Sequence, residues 1–222
     1  MSRSKRIPET YEGIQSVASV SDIDIMQRGM RDKNRLSTDK IIKSGIKSGY
    51  VLEVGPGPGY LGLEWLLKTK GTRLCGLEIS RAMINTALKN SAEYGFLERV
   101  SYHEGNALLM PFSDESFDFV ISNGSLHEWE NPKSVFCEIH RVLRKGGSFF
   151  VSDLKRNISP FLFFAMKITV NPKRLAAGFS SSVDAAYTKE EISEILFRTE
   201  FCDDFSVSEN PFGLDITGRK KN

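Results

Sequence analysis

Short apolar runs alternate with longer amphipathic stretches through the middle of this chain. Five runs have the length and apolar content of buried strands, at 50–54, 73–77, 100–103, 117–122 and 148–152. Three stretches have the three-to-four-residue apolar spacing of helices, at 60–70, 80–94 and 132–143. This alternation predicts an α/β fold, in which a doubly wound, mostly parallel sheet carries helices on both faces.

The segments that flank this alternation predict one domain over 1–222, with a core at 48–153. Before the core, 1–47 reads as a helical segment, with two helices in 21–47. After it, 154–187 reads as an insertion. Thr188 and Glu191 form the capping box of a further helix. The runs 204–208 and 214–219 then predict a closing antiparallel hairpin, so the C-terminal unit spans 188–222.

Composition narrows the class of protein and its setting. The 222 residues are 40% hydrophobic and 26% charged, and a formal net charge of +2 gives no reason to expect a nucleic-acid partner. Cys75, Cys137 and Cys202 are far apart and form no Cys-x-x-Cys pair, so we expect neither disulfides nor a metal site, and a cytoplasmic location. The most apolar stretch, 160–170, is about half the ~20 residues of a membrane-spanning helix, so no transmembrane segment is expected.

The most informative stretch is 51–59, Val-Leu-Glu-Val-Gly-Pro-Gly-Pro-Gly. Its apolar strand contains the acidic residue Glu53 and ends in a loop with glycine at every second position. Gly55, Gly57 and Gly59 allow a tight turn and let a ligand approach the main chain closely. The helix predicted after the loop directs its free N–H groups toward whatever lies over it.

Other polar residues follow the predicted strands at the edge where ligands of doubly wound sheets bind. Glu78 ends the second strand, where a carboxylate can accept both hydroxyls of a ribose. Asn106 and Ala107 follow the third strand, and an amide at that place suits the edge of an adenine. The stretch 122–129 follows the fourth strand and includes Asn123 and His127.

In their residues and order, these motifs resemble the class I AdoMet-dependent methyltransferases, most closely the branch of ubiquinone and menaquinone biosynthesis. The resemblance covers 51–153. It rests on the glycine loop, on Glu78, on Met-Pro-Phe-Ser-Asp-Glu-Ser-Phe-Asp-Phe-Val at 110–120 and on Arg-Val-Leu-Arg-Lys-Gly-Gly at 141–147. It implies a Rossmann-like fold, S-adenosylmethionine as cofactor and methyl transfer to a small molecule.

The same resemblance implies roles for individual residues in holding the cofactor. The three loop glycines would pack against the methionine part, whose amino group Glu53 would orient through the loop. Glu78 would bind the ribose, and the adenine would contact Ile79, Asn106 and Ala107. The backbone around Asn123 would line the methionine moiety.

Two positions depart from the family pattern, and the glycine loop also fits the motif of one other cofactor. Asn106 stands where the family usually has Asp, and Lys145 replaces the usual Pro before the double glycine. The stretch 57–62 also satisfies Gly-x-Gly-x-x-Gly, with Glu78 following at the spacing of a nicotinamide cofactor's ribose-binding acid. That frame begins late relative to the predicted strand end, so an NAD-dependent oxidoreductase is the weaker interpretation.

His127 is the candidate catalytic residue, because a neutral imidazole at the cleft can take a proton from an acceptor. The alternative is a hydrogen-bonded residue of the cleft wall. For Trp129 we expect a core position. Tyr11, Arg28 and Arg31 belong to a segment that folds over the cofactor in similar enzymes, and the sequence selects none of them as a ligand of the methionine carboxylate.

The methyl acceptor is the part that the sequence leaves open. Acceptor specificity is expected in 1–47 and in the insertion, whose Phe163 and Phe164 suggest an apolar lid over a hydrophobic or aromatic molecule. The alternative for the insertion is a helix packed on the sheet or on a second subunit, so the oligomeric state, a homodimer included, stays open. A protein-modifying methyltransferase and a non-catalytic AdoMet-binding protein are the other functional alternatives.

Overall fold

The computed structural model describes residues 5–8, 17–170 and 172–222. The strands are, in chain order, β1 Tyr50–Val54, β2 Arg73–Glu78, β3 Val100–Glu104, β4 Phe117–Asn123, β5 Leu143–Leu154, β6 Phe205–Glu209 and β7 Gly213–Arg219. The α-helices are α1 Val17–Asp32, α2 Thr38–Lys43, α3 Tyr60–Lys68, α4 Arg81–Glu93, α5 Pro132–Val142, α6 Pro160–Thr169, α7 Ala176–Ala185 and α8 Lys189–Leu196.

The strands form one seven-stranded sheet in the order β3-β2-β1-β4-β5-β7-β6. Strands β1 to β5 are parallel to one another, and β7 is antiparallel to both β5 and β6. The chain proceeds from β1 to β3 toward one edge and then returns to place β4 on the other side of β1. The predicted doubly wound sheet with a C-terminal antiparallel hairpin is therefore confirmed, and the strand order reverses between β1 and β4.

The two faces of the sheet are covered by separate apolar clusters. Val51 and Leu52 are both fully buried, yet they belong to opposite clusters because successive strand side chains alternate between faces. Leu52 shares its cluster with residues of α5 and α8. Val51 shares its cluster with Trp65 of α3, whose indole N–H donates to the Ile46 carbonyl at 2.8 Å. Burial of an aliphatic side chain such as that of Val51 or Leu52 contributes on the order of 2 kcal/mol to the free energy of unfolding.

Local capping fixes the starts of several helices as the sequence predicts. The hydroxyl of Ser80 accepts from the Met83 amide at the start of α4, and Thr188 and Glu191 cap α8 reciprocally. One predicted boundary is wrong, since β5 begins at Leu143 and not at 148. The double glycine lies inside the strand, where Gly146 donates to the Lys220 carbonyl and so extends the backbone pairing.

The predicted helical segment and the insertion also contain helices. The first predicted pair corresponds to α1 and α2, and the insertion holds α6 and α7. In the described part of the chain, no helix is both long enough and apolar enough to cross a membrane.

Candidate functional site

The glycine loop between β1 and α3 has a conformation that only glycine adopts without strain. Gly55, Gly57 and Gly59 have φ values of +68°, +54° and +88°. The loop is also tightly packed, because a Cβ on Gly55 would lie 2.7 Å from Ser125 Oγ and one on Gly59 would lie 2.9 Å from the Tyr102 hydroxyl. The alternate glycines therefore reflect both left-handed backbone and close packing.

Beneath this loop lies the carboxylate of Glu53, which is 2% exposed. Its Oε2 has no hydrogen-bond partner among the described residues, and a Cβ on Gly62 would lie only 2.3 Å from it. Burial raises the pKa of Glu53 to about 8, the charge of Glu78 adds to the shift, and the Gly62 N–H opposes it. A buried carboxylate with an unused oxygen fits a cofactor that carries an ammonium group close by.

Glu78 connects the end of β2 to the glycine loop. Its Oε2 accepts from the Gly57 amide and its Oε1 from the Ser80 amide, both at 3.0 Å. The residue is 7% exposed, and this burial raises the pKa of the carboxyl against the opposing effect of the backbone N–H groups. Each carboxylate oxygen can accept a second hydrogen bond. The side chain therefore fits the vicinal hydroxyls of a ribose while it holds the loop.

The residues predicted to contact adenine lie at the neighbouring strand ends. Ile79 directly follows β2 and is 36% exposed. Asn106 follows β3 and is exposed, and its Oδ1 accepts from the Leu108 amide at 2.9 Å. This turn uses one lone pair of the amide oxygen, so contact with an adenine amine must use the other. Ala107 is half-buried and packs against a core cluster. The roles of all three residues in binding adenine stay predictions.

Asn123 lies at the carboxyl end of β4, across the switch point from the glycine loop. Its Oδ1 accepts from the Ser37 hydroxyl at 2.7 Å, which connects the sheet edge to the turn between α1 and α2. Ser125, two residues further on, is buried against Gly55. The stretch after β4 therefore packs against the glycine loop. That its backbone lines the methionine part of the cofactor stays a prediction.

Helix α1 lies over the glycine loop. Asp24 accepts from the Tyr60 hydroxyl at 3.0 Å and from the Asn90 amide at 3.1 Å, which joins α1 to α3 and α4. Gln27 lies one turn further on, with its Nε2 3.3 Å from where a Cβ on Gly57 would be. Helix α1 thus covers the glycine loop.

Tyr11, Arg28 and Arg31 are the three N-terminal candidates for binding the methionine carboxylate of the cofactor, and the structure describes two of them. The Arg28 guanidinium donates to Asp24 and to the Tyr60 hydroxyl at 3.1 Å each. That of Arg31 donates to the Tyr94 hydroxyl at 3.2 Å and to its neighbour in sequence. Both side chains therefore serve to dock α1. Tyr11 lies outside the described residues.

The candidate catalytic residue His127 is buried in a short 3-10 helix, Leu126–Glu128, directly after β4. Its Nδ1 lies 2.9 Å from both carboxylate oxygens of Asp153 at the end of β5. The Asp153 carboxylate therefore holds the ring in one orientation, and the other ring nitrogen, Nε2, lies 4.0 Å from Glu128 Oε1. Trp129 is buried edge-on against Phe136 with ring centroids 5.5 Å apart, which is the core position that we expected.

Sequence reasoning missed several residues that complete the site. In the sequence, Asp153 is recognisable only as a residue at the end of a strand. Asp24 and Gln27 are recognisable only as polar positions of an amphipathic helix. Ser125 had no signal apart from its place after β4, and Tyr102 none apart from its place in β3. Within the described ranges, no group of three or more His, Cys, Asp or Glu side chains is arranged to hold a metal ion.

Comparison with known proteins places this geometry among methyltransferases. Residues 52–151 match a family described as a methyltransferase domain. The chain is 34% identical over 109 residues to the malonyl-[acyl-carrier protein] O-methyltransferase of Hamiltonella defensa, which covers 49% of this chain and 39% of that protein. It is 30% identical over 144 residues to the demethylmenaquinone methyltransferase of Chlorobaculum parvum, which covers 64% of this chain and 56% of that protein.

The chain therefore matches less than two thirds of the length of either curated relative. A solved structure extends the likeness to the whole fold. A candidate S-adenosyl-L-methionine-dependent methyltransferase from Methanococcus maripaludis superposes with a TM-score of 0.77 at 21% identity, covering 97% of this chain and 98% of that one. The matched region begins in β1 and ends in β5, so it includes every residue predicted to bind the cofactor.

Proposed function

Because this chain contains a class I, AdoMet-dependent methyltransferase domain, we propose that it transfers the sulfonium methyl group of S-adenosylmethionine to a small apolar or aromatic acceptor.

One observation carries the cofactor half of this proposal. Two buried carboxylates, Glu53 and Glu78, lie at adjacent strand ends on either side of a left-handed glycine loop. Glu53 has an unused oxygen, and Glu78 has a lone pair left on each oxygen for a ribose hydroxyl. S-adenosylmethionine offers both an ammonium group and a ribose diol, and when bound it supplies the electrophilic methyl group.

The acceptor half of the proposal depends on the insertion. Phe163 of α6 stacks on Phe179 of α7, with ring centroids 5.6 Å apart and planes 17° from parallel. On α6, Phe161 and Phe164 are 83% and 64% exposed. Helix α7 packs on the 3-10 helix that holds His127, so this aromatic unit lies on the acceptor side of the cleft. Such a surface favours an apolar or aromatic compound.

The protein's part in the reaction is alignment, exclusion of water and, where the acceptor needs it, removal of a proton. Holding two reactants in line supplies a large share of the acceleration of a displacement reaction. Helix α1 covers the cofactor side and α7 flanks the opposite side. We assign proton removal to His127, which is the buried imidazole at the end of β4.

The first test is calorimetric titration with AdoMet, S-adenosylhomocysteine and NAD⁺. We expect binding of the two adenosyl-sulfur ligands alone, and weakening of roughly 10- to 100-fold in Glu78→Gln, as loss of hydrogen bonds to a charged group costs about 1.5–3 kcal/mol. The matched control is Glu104→Gln, since Glu104 is the β3 neighbour of Glu78 in the sheet and pairs on the surface with Arg81. Binding of NAD⁺ instead would contradict the cofactor assignment.

The second test uses methyl-labelled AdoMet with cell extract divided into protein and small-molecule fractions. Label in the small-molecule fraction is the expected result, and its extraction into organic solvent would support an apolar acceptor. Label confined to protein would favour the alternative of a protein-modifying methyltransferase. Cofactor binding without label in either fraction would favour a non-catalytic AdoMet-binding protein.

A further inference from the structure

Helix α6 exposes a stripe of large apolar side chains. Phe161, Phe164 and Ile168 are 83%, 64% and 53% exposed, and none of the ten residues of the helix is buried. The spacing of three and four residues places these three side chains on one face of the helix. Phe163 lies on the other face, where it stacks on Phe179 of α7. The helix is therefore held by its inner face and directs apolar groups outward.

The charges around α6 indicate the chemistry of a partner for this stripe. Between 155 and 183 the chain has five Lys or Arg residues and neither Asp nor Glu. Two of these cations are compensated within the protein, since Lys155 pairs with Glu209 at 2.6 Å and the buried Arg156 pairs with Glu191. The positive charge available to a partner therefore lies further along the segment, at α6 and just after it.

Two lysines lie beside the apolar stripe. Lys167 is in the last turn of α6, with its Nζ 5.8 Å from the centroid of the Phe163 ring. Lys173 follows the helix and donates to the Ile168 carbonyl. A lysine can cover apolar surface with its aliphatic stem while it keeps the ammonium group in water. The stripe is therefore flanked by positive charge at the C-terminal end of the helix.

These features fit an anionic lipid surface better than a second copy of the chain. A helix that lies in a membrane interface has large apolar side chains on one face and lysines beside them. Anionic head groups attract these lysines, and each one near the surface strengthens binding about fivefold. A second copy seated on the same stripe would instead bring two positively charged surfaces together, which repel each other.

We propose that the outer face of α6 binds the surface of an anionic lipid bilayer. Phe161, Phe164 and Ile168 enter the head-group region, and Lys167 and Lys173 contact the lipid phosphates. The ten residues of the helix extend about 15 Å, half the thickness of the hydrocarbon core, so α6 lies on the bilayer and does not span it. Because α6 follows the carboxyl end of β5, this contact keeps the cleft close to the lipid surface. The contact itself is independent of the proposed methyl transfer.

Vesicle flotation tests the proposal with the full chain and needs neither cofactor nor acceptor. The probes are vesicles of phosphatidylcholine alone and vesicles of phosphatidylcholine mixed with phosphatidylglycerol. We expect the protein to float with the mixed vesicles and to bind the neutral ones at least about tenfold more weakly. High salt should remove most of this difference, because it screens the attraction between lysines and head groups.

Variants separate the apolar contribution from the electrostatic one. Phe161→Ser should weaken binding to the mixed vesicles at least about tenfold, and Lys167→Gln should weaken it about fivefold. The matched control is Leu97→Ser, since Leu97 is 50% exposed in the short 3-10 helix that precedes β3, at the opposite end of the sheet. Its binding should stay within about twofold of wild type.

A fluorescence test reports whether α6 itself enters the lipid. The two native tryptophans, Trp65 and Trp129, are buried and give a constant background. We expect the emission of Ile168→Trp to shift to shorter wavelength with the mixed vesicles and to be quenched by brominated lipid. The emission of Leu97→Trp should stay unchanged under the same conditions.

Several results would overturn the proposal. They are absence of binding to the mixed vesicles, equal binding to neutral and mixed vesicles, wild-type binding by Phe161→Ser, and an Ile168→Trp spectrum that vesicles leave unchanged. A wild-type dimer that Phe161→Ser dissociates, in a protein that binds no vesicles, would assign the stripe to a second copy instead. Titration with AdoMet tests the proposed function separately, so either conclusion can fail without the other.

Discussion

Replacing Glu53 by Gln should stabilise the protein at high pH and change little at low pH. The carboxylate is buried, its Oε2 has no partner among the described residues, and burial followed by the charge of Glu78 raises the pKa of Glu53 from 4.5 to about 8. Between these two values the folded state holds a proton that the unfolded state has lost. Stability therefore falls as the pH rises through this window and levels off above about 8.

The size of the effect follows from the shift. Each pKa unit corresponds to about 1.4 kcal/mol, so the free energy of unfolding should fall by up to about 4 kcal/mol between pH 5 and pH 9. Part of the shift comes from Glu78, whose own pKa burial also raises, so the two carboxyls share the effect. For Glu53→Gln we therefore expect a gain over wild type that grows by about 2–4 kcal/mol across this range.

The assay is urea unfolding at pH 5, 7 and 9 without ligand, with wild type and variant side by side. Glu98→Gln is the control, since it removes an exposed carboxylate outside the cleft. A difference between wild type and Glu53→Gln that is the same at all three pH values would refute the reasoning, because it would mean that Glu53 ionises alike in the folded and unfolded states.

Two further predictions concern the loop and the insertion. Gly55→Ala should weaken AdoMet binding and destabilise the protein by more than Gly95→Ala in urea unfolding, because both have a left-handed φ but only at Gly55 does a Cβ meet another group, Ser125. Equal destabilisation and unchanged AdoMet affinity would show that the loop tolerates a methyl group. Phe163→Ala and Phe164→Ala should each raise the acceptor's KM several-fold and spare AdoMet affinity, with Phe212→Ala, an exposed residue in the turn between β6 and β7, as the control. An equal loss of acceptor and AdoMet affinity, or an unchanged KM, would contradict a lid formed by α6.

The parts of the site that the sequence predicts are those that lie close together along the chain. Glu53 lies two positions before Gly55, and Thr188 lies three positions before its partner Glu191 in the capping box of α8, so local rules of backbone conformation suffice to predict both. The pairing of His127 with Asp153 joins residues 26 apart, through the register of two strands. Nothing in the apolar pattern of β5 distinguishes a carboxylate that binds a ring from one that simply ends a strand.

The position of α1 over the glycine loop could not be predicted for the same reason. Asp24 joins α1 to Asn90, 66 residues away, and this contact depends on how α1 packs against two other helices. At the double glycine of β5 a local rule gives the wrong result. A glycine pair predicts a turn, so the sequence places the start of the strand after Gly147 and not at Leu143. Here Gly146 has a left-handed φ of +72° and still pairs with the C-terminal segment, so tertiary contact overrode a correct local rule.

The buried carboxylates of the cleft fall into two groups that differ in how their charge is compensated. The first half of the cleft holds Glu53 and Glu78, and the second half holds Asp153. On the cofactor side, Glu53 and Glu78 are buried together with raised pKa values, and a ligand that brings positive charge relieves their repulsion. At the end of β5, Asp153 is matched by the backbone N–H groups of His127 and Leu154. Before ligand binds, the first half therefore lacks a positive charge, whereas the second half is already satisfied. A cationic cofactor should consequently bind by supplying the positive charge that the first half lacks.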